Sequence, residues 1–435
     1  MNVSEAIFFL GPGSQKKLLG LSFLERLILY GAKAGLGKFW LCSQDSELAT
    51  QVLEKINTDK RFKRAGVKVE LLPADFSGWL GSNGPAESAV VMFEDTVVVA
   101  PDFFVSLKEA LSLKSEEMVI VRPEFPTDGV LAAPLFLAVK KARLPEIWEE
   151  LARSGWGFIY RLKESGLVPE VNLEGGFGLR GEGPEALKLA ERLLLETGRK
   201  PHDGYITRVF FRPLSLQLTR YLINLGVTPN QISLFVLFLE ILSVYFIMNG
   251  GYSSMVLGSF LFLLSSVIDC CDGQNARLTC RVTRFGTIFD VSADAFLFVT
   301  FFAALPIGVY RTTGEKVWLY LGAFGLLSMV SFYLIMVNHA RKSGIGFNIT
   351  PIAREVEASI QDPDFQNWFD CLAAHLAFIY RRDFFTMASF VLIVLGGAAL
   401  VVILVSFLAF LEAVYFASYS RRRLQKNALD KFQTA

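Results

Sequence analysis

Six apolar stretches between residues 231 and 420 constrain this chain more than anything else in it. They lie near 231–249, 253–274, 286–309, 317–340, 384–398 and 399–420. At about 1.5 Å of rise per helical residue, each covers most or all of a ~30 Å hydrocarbon layer. Backbone that crosses lipid must satisfy its own polar groups, so these stretches are read as helices. The last two run together as one block split by Gly396-Gly397. Each half is short, and a hairpin of two spans is preferred to one over-long helix. Hydrophobic residues make up 52% of the 435 positions, with the excess in the second half, so the first half reads as a soluble domain.

The loops alternate in charge. Arg277, Arg281 and Arg284 fall on one side with Arg341, Lys342, Arg354, Arg381, Arg382 and the Arg421-Arg422-Arg423 tail, while the other side holds little beyond Arg311 and Lys316. By the positive-inside rule, both termini and residues 269–294 face the cytosol, here across the inner membrane of a cell. A net charge of +1, with no basic domain offset from an acidic one, says nothing for nucleic acid, and no nucleic-acid partner is expected. The five cysteines are odd in number and lack paired C-x2-C spacing, which fits a reducing compartment. The start, MNVSEAIFFLGPGS, has too short an apolar run and no basic leader for a cleavable signal peptide.

The stretch DCCDGQNARLTCRVTRFGTIFDVSAD, 269–294, places four carboxylates in otherwise apolar surroundings. Asp269 and Asp272 are three apart, Asp290 and Asp294 four apart, so on helices each pair shares a face and the two pairs can converge. Gathered acids repel unless something positive neutralises them. Oxygen-only donors point to Mg2+ or Mn2+ rather than zinc. Cys270 and Cys271, inside this stretch, read as packing residues.

The spacing D-x2-D-G-x2-A-R-x8-G-x3-D-x3-D resembles, position for position, the signature of the CDP-alcohol phosphotransferase family of integral membrane enzymes. V-T-P-N-Q-I-S at 227–233 matches the family's habitual start of its first span. The resemblance implies that Asp269, Asp272 and Asp290 hold two divalent ions, and that Asp294 completes the site and acts as the base. It implies a CDP-linked donor, in-line attack by an alcohol with CMP leaving, and a homodimer. Gly273 and Ala276 lie on the face of Asp269, where small side chains leave room for a cytidine or equally for a neighbouring helix. Arg277 can fork onto pyrophosphate oxygens. Gly286 and Asn230 complete the nucleotide candidates. Arg341, Lys342, Arg381 and Arg382 suit an acceptor carrying its own phosphate, such as inositol phosphate, and equally suit anionic lipid.

In the first half, runs at 6–10, 39–43, 68–72, 89–93, 96–100 and 118–122 read as strands. Helices are read at 18–35, 106–113 and 184–196, which gives a mostly parallel sheet with helices on both faces. The order is similar to a sugar-phosphate nucleotidyltransferase, and head and membrane part together resemble bifunctional inositol-phosphate cytidylyltransferase/di-inositol-phosphate-phosphate synthases. The glycine turn GPGSQKKLLG could cradle a phosphate, but it lacks that family's arginine. Asp95 falls at the first metal position, while only Glu182 stands near the second. The head is therefore either an active cytidylyltransferase or a degenerate one that positions or regulates the membrane half. Domains are set at 1–199, an interfacial amphipathic helix at 200–226 with Arg208, Arg212 and Arg220 toward lipid phosphates, and a six-helix membrane domain at 227–435. Residues 341–383 hold a second interfacial helix. Glu240 and Glu412 are assigned to helix–helix hydrogen bonds, and His339 to the membrane interface.

The reading is thus a membrane transferase of a substituted phosphate. Its competitors are a bifunctional enzyme that also makes its CDP-alcohol from CTP, phosphatidyl transfer from CDP-diacylglycerol, and a non-catalytic scaffold or transporter.

Overall fold

The computed structural model describes residues 3–43, 45–72, 87–93, 96–98, 100–124, 135–181, 183–200, 203–343 and 382–433. The chain forms two compact units. One comprises Met1–Lys200, Thr219–Thr228 and Gly273–Val282; the other comprises Pro201–Leu218, Pro229–Asp272 and Thr283–Ala435.

The first unit is α/β. In chain order it has β1 (Glu5–Phe9), β2 (Lys17–Leu18), β3 (Leu21–Ser22), α1 (Phe23–Lys33), β4 (Lys38–Cys42), α2 (Ser46–Thr58), α3 (Lys60–Ala65), β5 (Lys68–Leu71), β6 (Ser88–Phe93), β7 (Thr96–Val98) and α4 (Phe103–Ser112). Then follow β8 (Met118–Glu124), β9 (Phe136–Lys140), α5 (Leu144–Ser154), α6 (Trp156–Ser165), β10 (Glu170–Arg180) and α7 (Gly183–Glu196). The main sheet runs β5-β4-β1-β6-β9-β8-β10-β7.

Period-two alternation splits the strands between two cores, as a sheet covered on both faces requires. Ala6, Phe8, Phe39, Leu41, Val90 and Met92 pack toward α1 and α4. Ile7, Trp40, Ala89, Val91 and Leu137 pack toward α5 and α6. Four of the seven pairings in the main sheet are parallel, as expected, and three are antiparallel. β9 enters antiparallel between β6 and β8, and β10 pairs antiparallel with β7. The segment FLAVK of β9 is a strand that the sequence reading does not include, a short apolar run without clear alternation. Residues 18–22, expected to open a helix, instead form a β2–β3 hairpin, and α1 begins only at Phe23. There the Ser22 and Glu25 side chains cap each other's backbone amides.

The second unit is helical. A π turn at Thr207–Phe211 leads into α8 (Arg212–Asn224), followed by α9 (Pro229–Asn249), α10 (Tyr252–Leu278), α11 (Arg284–Thr313), α12 (Val317–Ser343), α13 (Arg382–Val394) and α14 (Ala398–Gln433). Both α8 and α10 run from one compact unit into the other. Six helices from α9 onward stand where six spans were expected. Among the described residues four are long and apolar enough to cross a membrane: Pro229–Asn249, Tyr252–Leu278, Val317–Lys342 and Ala398–Arg423. α13 has 13 residues, so six full spans are not established. The α13–α14 break falls where two glycines predicted it. Gly396 takes φ +81°, and the Gly396 and Gly397 amides close back onto Ile393 and Leu392. α14 then continues to Gln433, carrying the arginine tail inside a helix that was expected to stop near 420.

Four side chains depart from their sequence assignments. Arg212 is buried and forks onto Asp203 at 2.6 and 2.8 Å, and Arg220 forks onto Glu191, so neither is aimed at lipid phosphate. His339 is fully buried against Ser420 Oγ at 2.9 Å rather than interfacial. Glu240 accepts from Ser265 as assigned, whereas no hydrogen bond to Glu412 occurs among the described residues. Residues 344–381, including most of the second interfacial helix, lie outside the described set.

Candidate active site

The end of α10 is held from both sides of the aspartate pair. Asp269 is partly exposed and Asp272 nearly buried. Asp272 Oδ2 accepts from Ser233 Oγ at 2.8 Å. The same hydroxyl lies 3.1 Å from the Pro229 carbonyl. A serine has one proton to give, and bonds to an ionised acceptor are roughly twice as strong, so the carboxylate takes it. Pro229 opens α9, where a missing amide costs nothing, and Ser233 follows one turn later. Ser233 lies in the quoted V-T-P-N-Q-I-S run, but sequence reasoning selected only Asn230, which is exposed at the start of α9.

One turn beyond Asp272, Gln274 and Asn275 are fully buried polar residues. Gln274 Oε1 accepts from Thr219 Oγ1 at 2.6 Å, and Asn275 Nδ2 donates to the Val227 carbonyl at 2.8 Å. Both were missed, although polar residues inside an apolar helix signal such partners. Arg277 donates through Nη2 to the Gly198 carbonyl at 2.7 Å. A Cβ on Gly273 would come within 3.2 Å of Arg277 Nη1, so the space this glycine leaves is partly filled by that guanidinium. Ala276 is partly exposed on the same helix. Cys271 is buried and donates to the Ser215 carbonyl, which supports its reading as a packing residue.

The connection to α11 is tight. Cys280 sits in the left-handed region at φ +55°, a position usually given to glycine. The Arg281 amide closes onto the Ala276 carbonyl at 2.8 Å, and the Cys280 amide onto Arg277. Thr283 then caps α11 by accepting from the Gly286 amide at 3.0 Å. A Cβ at Gly286 would stand 3.0 Å from that hydroxyl, so the glycine keeps the cap uncrowded. Asp290 and Asp294 follow one turn apart on α11; their side chains lie outside the described part of the structure.

Of the acceptor candidates, Arg341 and Lys342 are exposed at the end of α12. Arg381 is outside the described residues, as is the side chain of Arg382, which opens α13. Among the described residues no three metal-ligating side chains gather. The described donors, Asp269 and Asp272 with the second steadied by Ser233, are hard oxygens and fit a magnesium-class ion.

In the α/β unit the glycine turn closes on itself. The Ser14 amide and hydroxyl both go to the Gly11 carbonyl, and the Lys16 amide goes to Gly13. Those two amides are therefore not offered to a phosphate. The C-terminal ends of β1 and β6, where open α/β sheets bind ligands, carry a ring cluster. Phe9 stacks on Phe93 at 5.3 Å and meets Trp148 at 5.4 Å, while Trp156 lies 4.7 Å from Phe93. Asp95 and Glu182 lie outside the described residues.

Residues 226–357 match the CDP-alcohol phosphatidyltransferase family. The chain is 30% identical over 166 residues to a bifunctional IPC transferase and DIPP synthase of Aquifex aeolicus, covering 38% of this chain and 37% of that one. It is 32% identical over 148 residues to the protein of the same description from Thermococcus kodakarensis, covering 34% and 32%. The chain thus spans about a third of the length of these curated relatives. Among solved structures it is similar to the inositol-1-phosphate CTP transferase from T. maritima, at 13% identity and a TM-score of 0.31, over 44% of this chain and 96% of that one.

Proposed function

We propose that this chain is an integral membrane transferase that moves a substituted phosphate from a CDP-linked donor to an alcohol, releasing CMP. The observation that carries it is the eight-position acid, glycine, alanine and arginine spacing on α10 and α11, lying inside the span that matches the CDP-alcohol family. Asp272 held by Ser233 supports it, because a carboxylate fixed at a membrane helix end has a task beyond solvation.

Asp269, Asp272, Asp290 and Asp294 would hold two divalent ions. When bound, such ions screen the pyrophosphate and stabilise charge on the attacking and leaving oxygens. Asp294 takes the acceptor's proton, being one turn further along α11 than Asp290. Gly273, Ala276 and Asn230 border the cytidine. Arg277, whose Nη2 donates to the Gly198 carbonyl, meets the donor phosphates. Arg341, Lys342, Arg381 and Arg382 receive an acceptor phosphate. The names of the curated relatives, IPC transferase and DIPP synthase, favour a phosphorylated polyol over a lipid on the acceptor side. By the positive-inside rule the site and both termini face the cytosol, where nucleotide-linked substrates are found, and the working form is a homodimer.

The deciding experiment offers the purified protein CDP-diacylglycerol and CDP-inositol in competition, with a set of phosphorylated polyols, and identifies products by mass spectrometry. CMP release that stops in EDTA and in Asp294→Asn is expected. Turnover undiminished by either would defeat the reading.

A further inference from the structure

A helix leaves its last carbonyls without partners inside itself, and the end of α10 can be accounted for one oxygen at a time. The Asn275 carbonyl takes the Thr279 amide, Ala276 takes Arg281, and Arg277 takes Cys280. Leu278 and Thr279 remain, and both are met by arginines from the α/β unit. Arg26 Nη1 donates to the Leu278 carbonyl at 2.9 Å, and Arg61 Nη1 donates to the Thr279 carbonyl at 3.3 Å.

Arg26 is an unusual residue to spend this way. It is 1% exposed, and no carboxylate pairs with it among the described residues. Its other bonds go to the Leu18 carbonyl at 2.8 Å and the Tyr30 hydroxyl at 3.2 Å. A buried guanidinium without a counter-ion is costly, and the negative end of α10 lies against this one to compensate it. Arg61 is fixed by Asp59, which accepts from both its Nε and its Nη2.

The hairpin joins the same grip. Leu19 and Gly20 both take positive φ at its tip, and a Cβ on Gly20 would press on Ile223 and Thr279 at 3.0 and 3.3 Å. Leu19 packs with Ile223 and Leu278 in one apolar cluster. The loop that a nucleotidyltransferase would devote to phosphate is here built into the seat of α10.

We infer that Arg26, supported by Arg61, is a positioning residue for the transferase: it locks the C-terminal end of α10 and through the rigid helix sets the height and rotation of Asp269 and Asp272. This rests on the proposed transferase reading. Leu278 lies six residues beyond Asp272, so only about 9 Å of continuous helix separates the lock from the carboxylate.

The test uses the full chain in lipid nanodiscs, as wild type and as Arg26→Met, Arg26→Lys and Arg61→Met. Two readouts are taken: amide hydrogen exchange over residues 270–283, and CMP release across a magnesium titration. In Arg26→Met, exchange at the helix end is expected to rise at least tenfold and kcat to fall at least tenfold, with donor KM within threefold. Arg26→Lys recovers part of both, and Arg61→Met moves both in the same direction by less. Unchanged exchange in Arg26→Met and Arg61→Met overturns the inference. So does a lysine variant no better than methionine, or a kcat that falls only in step with loss of folded protein. Should Arg26→Met fail to fold, Arg61→Met, whose side chain is 13% exposed, carries the same two readouts. Faster exchange in a protein whose wild type releases no CMP from any CDP donor would keep the lock and defeat the transferase reading instead.

Discussion

Ser233→Ala removes one hydroxyl and leaves Asp272 in place, so it isolates how strictly the carboxylate must be held. The bond lost is charge-assisted, at 2.8 Å, to a side chain only 7% exposed. Such bonds contribute about 1.5–3 kcal/mol. Asp272 keeps further interactions, which places the loss at the lower end, about 1.5 kcal/mol. At ~1.4 kcal/mol per factor of ten, kcat falls roughly tenfold if the bond persists through the transition state. The donor's KM changes little, because the alteration touches ion placement rather than the cytidine. CMP release should be measured at saturating donor over a magnesium series: the half-saturating concentration rises, and Ser233→Thr, which keeps the hydroxyl, restores most of the rate. An alanine variant within twofold of wild type at every magnesium concentration would refute the claim that Ser233 steadies Asp272 for catalysis.

Gly308→Ala would drive a methyl into the Ile247 backbone carbonyl, which cannot swing aside, and should destabilise the helical unit by about 3 kcal/mol; an unchanged melting temperature would contradict the close approach of α9 and α11. Burial pushes the Cys42 thiol up to about 11, so at pH 8 it stays protonated and should resist iodoacetamide until urea exposes it or pH passes 10; fast labelling of the folded protein at pH 8 would show the site to be open. The full chain supplied with CTP and inositol phosphate should release no pyrophosphate above background, since the Ser14 and Lys16 amides of the glycine turn are bonded within it; clear release would establish a working cytidylyltransferase head.

The helical half was legible because its signals are local. Long apolar runs, Gly396-Gly397 and the aspartate spacing each fix structure within a few residues, and all three fell on helices or a turn as read. The α/β half was legible strand by strand but not in its pairing, which is set by partners far along the chain. β9 shows this, since nothing within FLAVK says that it enters antiparallel. The arginines expected to face lipid misled for a related reason. Arg212 and Arg220 sit on an amphipathic pattern that suits lipid, yet Asp203 and Glu191 capture them, and no periodicity reveals a specific ion pair. Ser233, Gln274 and Asn275 were visible as polar residues near the aspartates but needed coordinates to show what they hold.

The compact unit that contains the α/β sheet also owns residues 219–228 and 273–282. No cut in the gene can therefore separate the two halves cleanly. A membrane fragment begun at the apparent junction would keep the last turns of α10 while losing every residue that Arg26, Arg61 and the hairpin bring to them. A fragment ended near residue 200 would lose Ile223 and Leu278 from the apolar cluster that contains Leu19, Phe23 and Leu194. The two compact units are interleaved along the chain, so a fragment of either carries pieces of the other.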